Sequence, residues 1–490
     1  MSMKLRNLVL VLAASAIAGC GGAGVSNSQF VGAPSSISGV SNNPGNTVNS
    51  LNVVARWNRI AIDASGFDHS QIGARQQLGP TRSSRAMAIV HIAMHDAIQA
   101  IQRRYDTFLP QPGAPTRASA EAAAVQAAHD TLVALYPAQK AALDQLLFQE
   151  LAQIPDSLDK SNGVLVGQIA AQSILANRAN DGSTDNIQNQ PYSFGQLPGQ
   201  WRVDPLNPTQ QPLGANWSAV RPFVLTSASQ FRCPVPPALT SPAYTAAYNE
   251  VKAVGGDGVI TPTVRTADQT EAGIYWAYDG TPSLCAPPRL YNQIALQLAT
   301  QRGLSEIGEL ARFLALTNLA MADAGISAWE SKYFYNYWRP ICGIRESDPG
   351  TGPSGLGDGN AATVGDPGWV PLCAPASNLQ APNFTPPFPA YPSGHACFGG
   401  ALFGTMRRAL GTDNVPFTFV SDEFNGITRD NLGNVRPLRP RSFNTLSQAE
   451  EENGQSRIYL GIHWSFDKVE GISQGEKVAE WVFTHSLSAH

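Results

Sequence analysis

The chain has 490 residues, a formal net charge of −4 and only 14% charged side chains. That length supports a large core in more than one unit. No run of Lys and Arg is present, which argues against a nucleic-acid partner.

The first 19 residues read as a lipoprotein-type signal peptide. Lys4 and Arg6 precede an apolar stretch from Leu8 to Ile17, and Ile17-Ala18-Gly19-Cys20 closes it. The stretch is too short to span a bilayer and resembles a lipobox, with Cys20 as the lipidated first residue. Gly21 follows Cys20, which points to an exported bacterial lipoprotein on the periplasmic or cell-surface face of the outer membrane. Residues 20–50 are rich in Gly, Ser and Asn and read as a tether. No later segment offers about 18 consecutive apolar residues, so that lipid would be the one link to a membrane.

The remaining chain is expected to be all-α. Apolar spacing predicts helices over 85–105, 118–135, 138–154 and 164–179, within an N-terminal helical region at 51–240. Residues 181–240 carry many Pro, Gly, Asn and Gln and read as a long irregular excursion. Helices resume over 243–254, 266–276, 290–301 and 305–329, opening a C-terminal bundle at 241–490. Residues 346–392 are again rich in Pro and Gly. A helix is predicted over 393–410, then a polar loop with a short hairpin over 411–446, then helices over 450–462 and 467–486. Two packed bundles with long irregular loops are the expected architecture.

Beyond Cys20, five cysteines remain: Cys233, Cys285, Cys342, Cys373 and Cys397. An exported compartment permits disulfides, but an odd number leaves at least one thiol free and the pairing is open.

Three clusters carry the chemistry. The first is Lys332-Tyr-Phe-Tyr-Asn-Tyr-Trp-Arg339-Pro340. Lys332 and Arg339 are seven apart, two turns and one face of a helix. The surrounding aromatics argue against a solvated face. The second, Pro392-Ser393-Gly394-His395, opens a helix, where unpaired amides and the dipole favour an anion. Ser393 supplies a hydroxyl, Gly394 lets backbone approach closely, and His395 is a candidate acid/base. The third is Ser456-Arg457, five residues, His463, three residues, Asp467. Arg457 and His463 share no regular helix face, so the chain is expected to bend at Gly461. Asp467, four after His463, can accept from one ring nitrogen and fix the tautomer.

Together these clusters resemble the pattern of the type 2 phosphatidic acid phosphatase superfamily, which includes acid phosphatases, lipid phosphatases and vanadium-dependent haloperoxidases. Trp329, one turn before Lys332, and Phe388, five before Ser393, are similar to the chloroperoxidase type of the haloperoxidase branch. Trp276-Ala-Tyr-Asp279-Gly and Pro287-Pro-Arg289-Leu-Tyr-Asn-Gln resemble it too. The likeness implies vanadate as cofactor, with His463 as its metal ligand. Lys332, Arg339, Ser393, Gly394 and Arg457 would hold its oxygens. It implies His395, Lys332 and His463 as catalytic residues, Trp329 and Phe388 as the halide pocket, and Asp279 behind Arg457. Hydrogen peroxide and a halide, chloride or bromide, would be the substrates and hypohalous acid the product. The alternative is a periplasmic acid phosphatase with His463 as nucleophile. Oligomeric state is open.

Other residues receive plainer readings. His91 and His95 are four apart beside Asp96, yet an apolar helix with no third ligand points to core histidines, as for His129. Asp68-His69 reads as an exposed loop. Asp422, Glu423 and Asp430 miss the calcium-loop order and read as surface carboxylates.

Overall fold

The computed structural model describes residues 52–70, 73–183 and 192–490. The leader and the tether lie outside them. Among the described residues the fold has thirteen α-helices and one two-stranded antiparallel sheet. The N-terminal helices are α1 (Val53–Asp68), α2 (Gly79–Gln102), α3 (Ala120–Leu135), α4 (Lys140–Ala152) and α5 (Leu158–Arg178). Then come α6 (Pro242–Val254), α7 (Ala267–Tyr275), α8 (Pro287–Gln301), α9 (Ile307–Tyr335) and α10 (Pro340–Arg345). The last are α11 (Gly394–Leu410), β1 (Phe417–Asn425), β2 (Leu438–Phe443), α12 (Leu446–Tyr459) and α13 (Ser465–His485). The helical expectation therefore holds, with α1 and α10 added.

The long α9 is the central strut. It presents no continuous exposed polar face, and nearly every residue from Gly308 to Lys332 is buried. A helix without a polar face must be surrounded, and α9 packs against α2, α11 and α13. Glu306 caps its start by accepting from Glu309 N–H. Asn336, left-handed at φ 51°, ends it. The tightest helix pair is α11 with α13, where Gly475 faces Cys397 O so closely that a Cβ would collide. A larger residue there would force the pair apart, at about 1–3 kcal/mol or more. One apolar cluster runs from Val53 on α1 to Leu487 after α13, so helices of both halves of the chain share a core.

The irregular excursion is held by side chains that satisfy its backbone. Asp323 on α9 accepts from Phe223, Val224 and Leu225 N–H at 2.6, 2.7 and 2.9 Å. Leu213 N–H donates to Pro387 O at 2.9 Å, and Trp201 N–H to Asn336 O at 2.8 Å. These bonds draw two Pro-rich segments, distant in sequence, onto the C-terminal end of α9.

Several sequence expectations need correction. Asp68 and His69 are buried, not exposed: Asp68 accepts from Gln76 and Gln77 N–H, and His69 Nε2 from Gly79 N–H. Glu423 is also fully buried, paired with Arg436 and Ser377 because β1 turns it inward. Asp422 pairs with Arg289. His129 bridges Asp130 and Asp144, at 2.7 and 3.0 Å. His91 and His95 are core residues, and no three-residue metal-ligand group occurs among the described residues. The five described cysteines are all free and buried.

Candidate oxyanion site

Six chain segments line one cavity of about 260 Å³. Its lining includes Asp279, Trp329, Phe388, Gly394, His395, Arg457 and His463.

Lys332 and Arg339 reach this place by a different route from one helix face. The helix stops at Tyr335, and Arg339 is the N-cap of α10. The left-handed turn at Asn336 brings it back. Arg339 Nε donates to Phe388 O at 2.9 Å and Nη1 to Ile462 O at 2.8 Å. Nη1 also lies 2.9 Å from His463 Nε2. Lys332 spends its three donors on carbonyls: Pro389 at 2.9 Å, Ala390 at 3.0 Å and Pro392 at 2.5 Å. Any direct bond from Lys332 to a ligand requires one of these to be exchanged. Burial, then the nearby Arg339, pull the Lys332 ammonium well below its ordinary range.

Ser393 is the N-cap of α11, with Oγ accepting from Ala396 N–H at 3.4 Å. As an acceptor in that bond, the hydroxyl keeps its own hydrogen to donate. The first amides of α11, including Gly394, have no intrahelical partner. A Cβ on Gly394 would come within 3.2 Å of the Trp329 ring, so glycine keeps this corner open. His395 Nε2 donates to Ala277 O at 2.5 Å, which leaves Nδ1 as the acceptor nitrogen. Burial first, then the Arg457 charge, push its pKa well below the ordinary value, so the ring is neutral.

The bend at Gly461 is present. It is left-handed at φ 73°, and a Cβ there would sit 2.5 Å from Gly255 O. The bend turns His463 inward. Its Nδ1 donates to Asp467 Oδ2 at 2.8 Å, and Trp464 N–H shares that oxygen at 3.0 Å. Burial raises Asp467 to about 7, but two donors hold it as an acceptor. Burial, then Arg339 and Lys332, keep His463 neutral with Nε2 turned away from Asp467. Arg457 is held by Asp279 at 2.7 and 3.0 Å.

The electrostatics call for an anion. Lys332, Arg339 and Arg457 are each at most 1% exposed, and face only the carboxylates Asp279 and Asp467. Arg339 Nη2 and Arg457 Nε and Nη1 are buried with no hydrogen-bond partner among the described residues. Buried, unpaired guanidinium N–H groups are costly, and an oxyanion supplies what they lack. The donor set therefore fits a tetrahedral oxyanion, and His463 Nε2, beside Arg339, is an imidazole nitrogen able to ligate its central atom.

The adjoining wall is aromatic. The Trp329 and Phe388 rings lie 4.8 Å apart. Lys332 Nζ is 5.0 Å from the Phe388 ring centre, and the Arg339 guanidinium carbon 4.9 Å.

Two family models match the chain: the vanadium chloroperoxidase N-terminal domain over residues 43–218 and its second helical-bundle domain over 312–490. Vanadium chloroperoxidase of Curvularia inaequalis is 31% identical, an alignment covering 85% of this chain and 79% of that protein. The chain belongs to the vanadium chloroperoxidase family. The fold agrees with solved members of the wider haloperoxidase group. A bacterial vanadium-dependent iodoperoxidase superposes with a TM-score of 0.72 at 23% identity, covering 90% of this chain and 99% of that one. A bacterial vanadium-dependent chloroperoxidase in its holo form gives 0.63 at 16% identity, covering 85% and 94%.

The candidate polar residues are set in a frame that no motif marked. The carbonyls of Ala277, Pro389, Ala390 and Pro392 position His395 and Lys332, and backbone acceptors leave no motif. His69, Leu78, Gln210 and Leu213 also line the cavity. They come from the N-terminal half, where no pattern marked them.

Proposed function

We propose that this protein oxidises halide with hydrogen peroxide to hypohalous acid at a vanadate bound by His463. The observation that carries the reading is the set of buried, unpartnered nitrogens on Arg339 and Arg457 beside His463 Nε2. Those donors, with Ser393 Oγ and the Gly394 amide, would hold the oxygens, and His463 Nε2 the metal. Vanadate supplies Lewis acidity without changing oxidation state. Lys332 adds positive potential from its carbonyl cage.

The residues handle protons and water. Asp467 keeps the His463 proton on Nδ1, so Nε2 stays basic. His395 presents neutral Nδ1, which takes a proton from incoming peroxide and returns it to departing water. Over the reaction the peroxide O–O bond breaks, an oxygen–halogen bond forms, one proton is consumed and water leaves. The Trp329–Phe388 wall strips water from the halide, and Phe388 suits chloride competence. The phosphatase alternative is not favoured by the family to which the chain belongs.

The test is direct. Purified protein stripped of metal and reloaded with vanadate should brominate a dye with peroxide and bromide, and His463→Ala should not. Turnover that survives exhaustive vanadate removal would sink the reading.

The leader supports export and lipid attachment at Cys20. Labelled palmitate should enter the protein in cells and fail to enter Cys20→Ala.

A further inference from the structure

An acid/base at His395 needs a ring that stays aimed. The ring itself is held through Nε2, which donates to Ala277 O at 2.5 Å. A single bond is a pivot, so the direction of Nδ1 also depends on where the His395 backbone stands. That backbone is held from two other helices. On α12, Asn453 stands one turn before Arg457, on the same face. Arg457 reaches the oxyanion cavity, and Asn453 meets the first turn of α11.

Asn453 is fully buried, where both ends of an amide need partners. Its Nδ2 donates to His395 O at 2.9 Å, and its Oδ1 accepts from Tyr291 OH of α8 at 2.9 Å. The reversed amide would set two acceptor oxygens against each other, so these partners fix its orientation. Tyr291 OH is also 3.1 Å from His395 O. Glycine lets the amide in: a Cβ on Gly399, one turn further along α11, would lie 2.4 Å from Asn453 Nδ2. The start of the same turn has a separate anchor, because Ser393 N–H donates to Asp467 O at 2.9 Å.

We propose that Asn453, oriented by Tyr291, is a positioning residue for His395. It touches neither peroxide nor halide. By fixing the His395 carbonyl it fixes the Cα from which the ring projects. With Ala277 O at the far nitrogen, the ring then has two points of support, and Nδ1 meets the peroxide proton in one geometry. This rests on the haloperoxidase reading.

The experiment is steady-state kinetics on vanadate-loaded protein, varying peroxide and bromide in turn, beside calorimetric titration of metal-free protein with vanadate. Asn453→Leu keeps the volume and removes both bonds. Its kcat/KM for peroxide should fall about 10²-fold, the effect of about 1 Å of misplacement. Tyr291→Phe should lower the same quantity by about tenfold or less, the effect of one hydrogen bond. Gly399→Ala removes no hydrogen-bonding group but pushes the amide off the carbonyl, so it should reproduce the loss. Vanadate affinity and kcat/KM for bromide should stay within about twofold of wild type in all three, since His395 serves the peroxide proton. An unchanged kcat/KM for peroxide in Asn453→Leu overturns the inference. So does a parallel fall in both kcat/KM values and in vanadate affinity, which a merely structural role would produce. Should Asn453→Leu not fold, Gly399→Ala and Tyr291→Phe decide by the same criteria. Wild type that brominates nothing would instead count against the haloperoxidase reading.

Discussion

Arg339 Nη1 lies 2.9 Å from His463 Nε2 and 2.8 Å from Ile462 O. One guanidinium thus holds both the His463 ring and the backbone that leads to it. This couples the end of α9 to the turn between α12 and α13. Bonds from Nε and Nη1 fix the group before any ligand arrives, and Nη2 has no hydrogen-bond partner among the described residues.

Arg339→Lys should therefore be damaging although it keeps the charge. Lysine cannot span Phe388 O, Ile462 O and a ligand with a planar fork. Halide turnover should fall about 10²–10³-fold, the usual cost of one lost oxyanion donor. Titration calorimetry with vanadate should show weaker binding, and circular dichroism an unchanged helix content.

Asp467→Asn should weaken vanadate affinity about 10–100-fold. The amide cannot accept as strongly from His463 Nδ1, and Nε2 loses basicity. The measurement is the vanadate concentration that restores half-maximal activity to metal-free protein. Near-wild-type affinity would show that Asp467 serves only the Trp464 amide.

Asp279→Ala leaves Arg457 buried without its carboxylate. Breaking such a pair costs about 3–5 kcal/mol, so the melting temperature should drop. Vanadate supplies replacement negative charge. Its stabilising shift should therefore be larger for the variant than for wild type in parallel thermal melts.

Acid should destabilise the protein through α2. Burial pulls both His91 and His95 down to about 4, from 6.5. Between those values the unfolded chain binds more protons than the folded one. The contribution to stability is complete above about pH 6.5 and is lost as pH falls towards 4. Each ring adds at most about 1.4 kcal/mol per pH unit. Urea melts at intervals from pH 7 to 4 should show this slope, and His91→Gln with His95→Gln should flatten it.

The sequence by itself determined the helical class and marked the candidate polar residues. Helix periodicity is local, since 3.6 residues per turn impose the apolar spacing directly. The three clusters were legible because each combines charge, hydroxyl or imidazole with Gly or Pro at short range. The His463–Asp467 pair followed from one helical turn. Tertiary structure decided how they meet. Lys332 and Arg339 converge through the turn at Asn336, not along one face, because a left-handed residue ends α9 three residues before Arg339. Asp279 finds Arg457 178 positions along the chain. Gln210 and His69 reach the cavity, and Glu423 the core, only after distant segments pack. The carbonyl cage of Lys332 has no side-chain code at all. Contacts of this kind depend on the sum of many burial and hydrogen-bond terms over the folded chain, which no local pattern records.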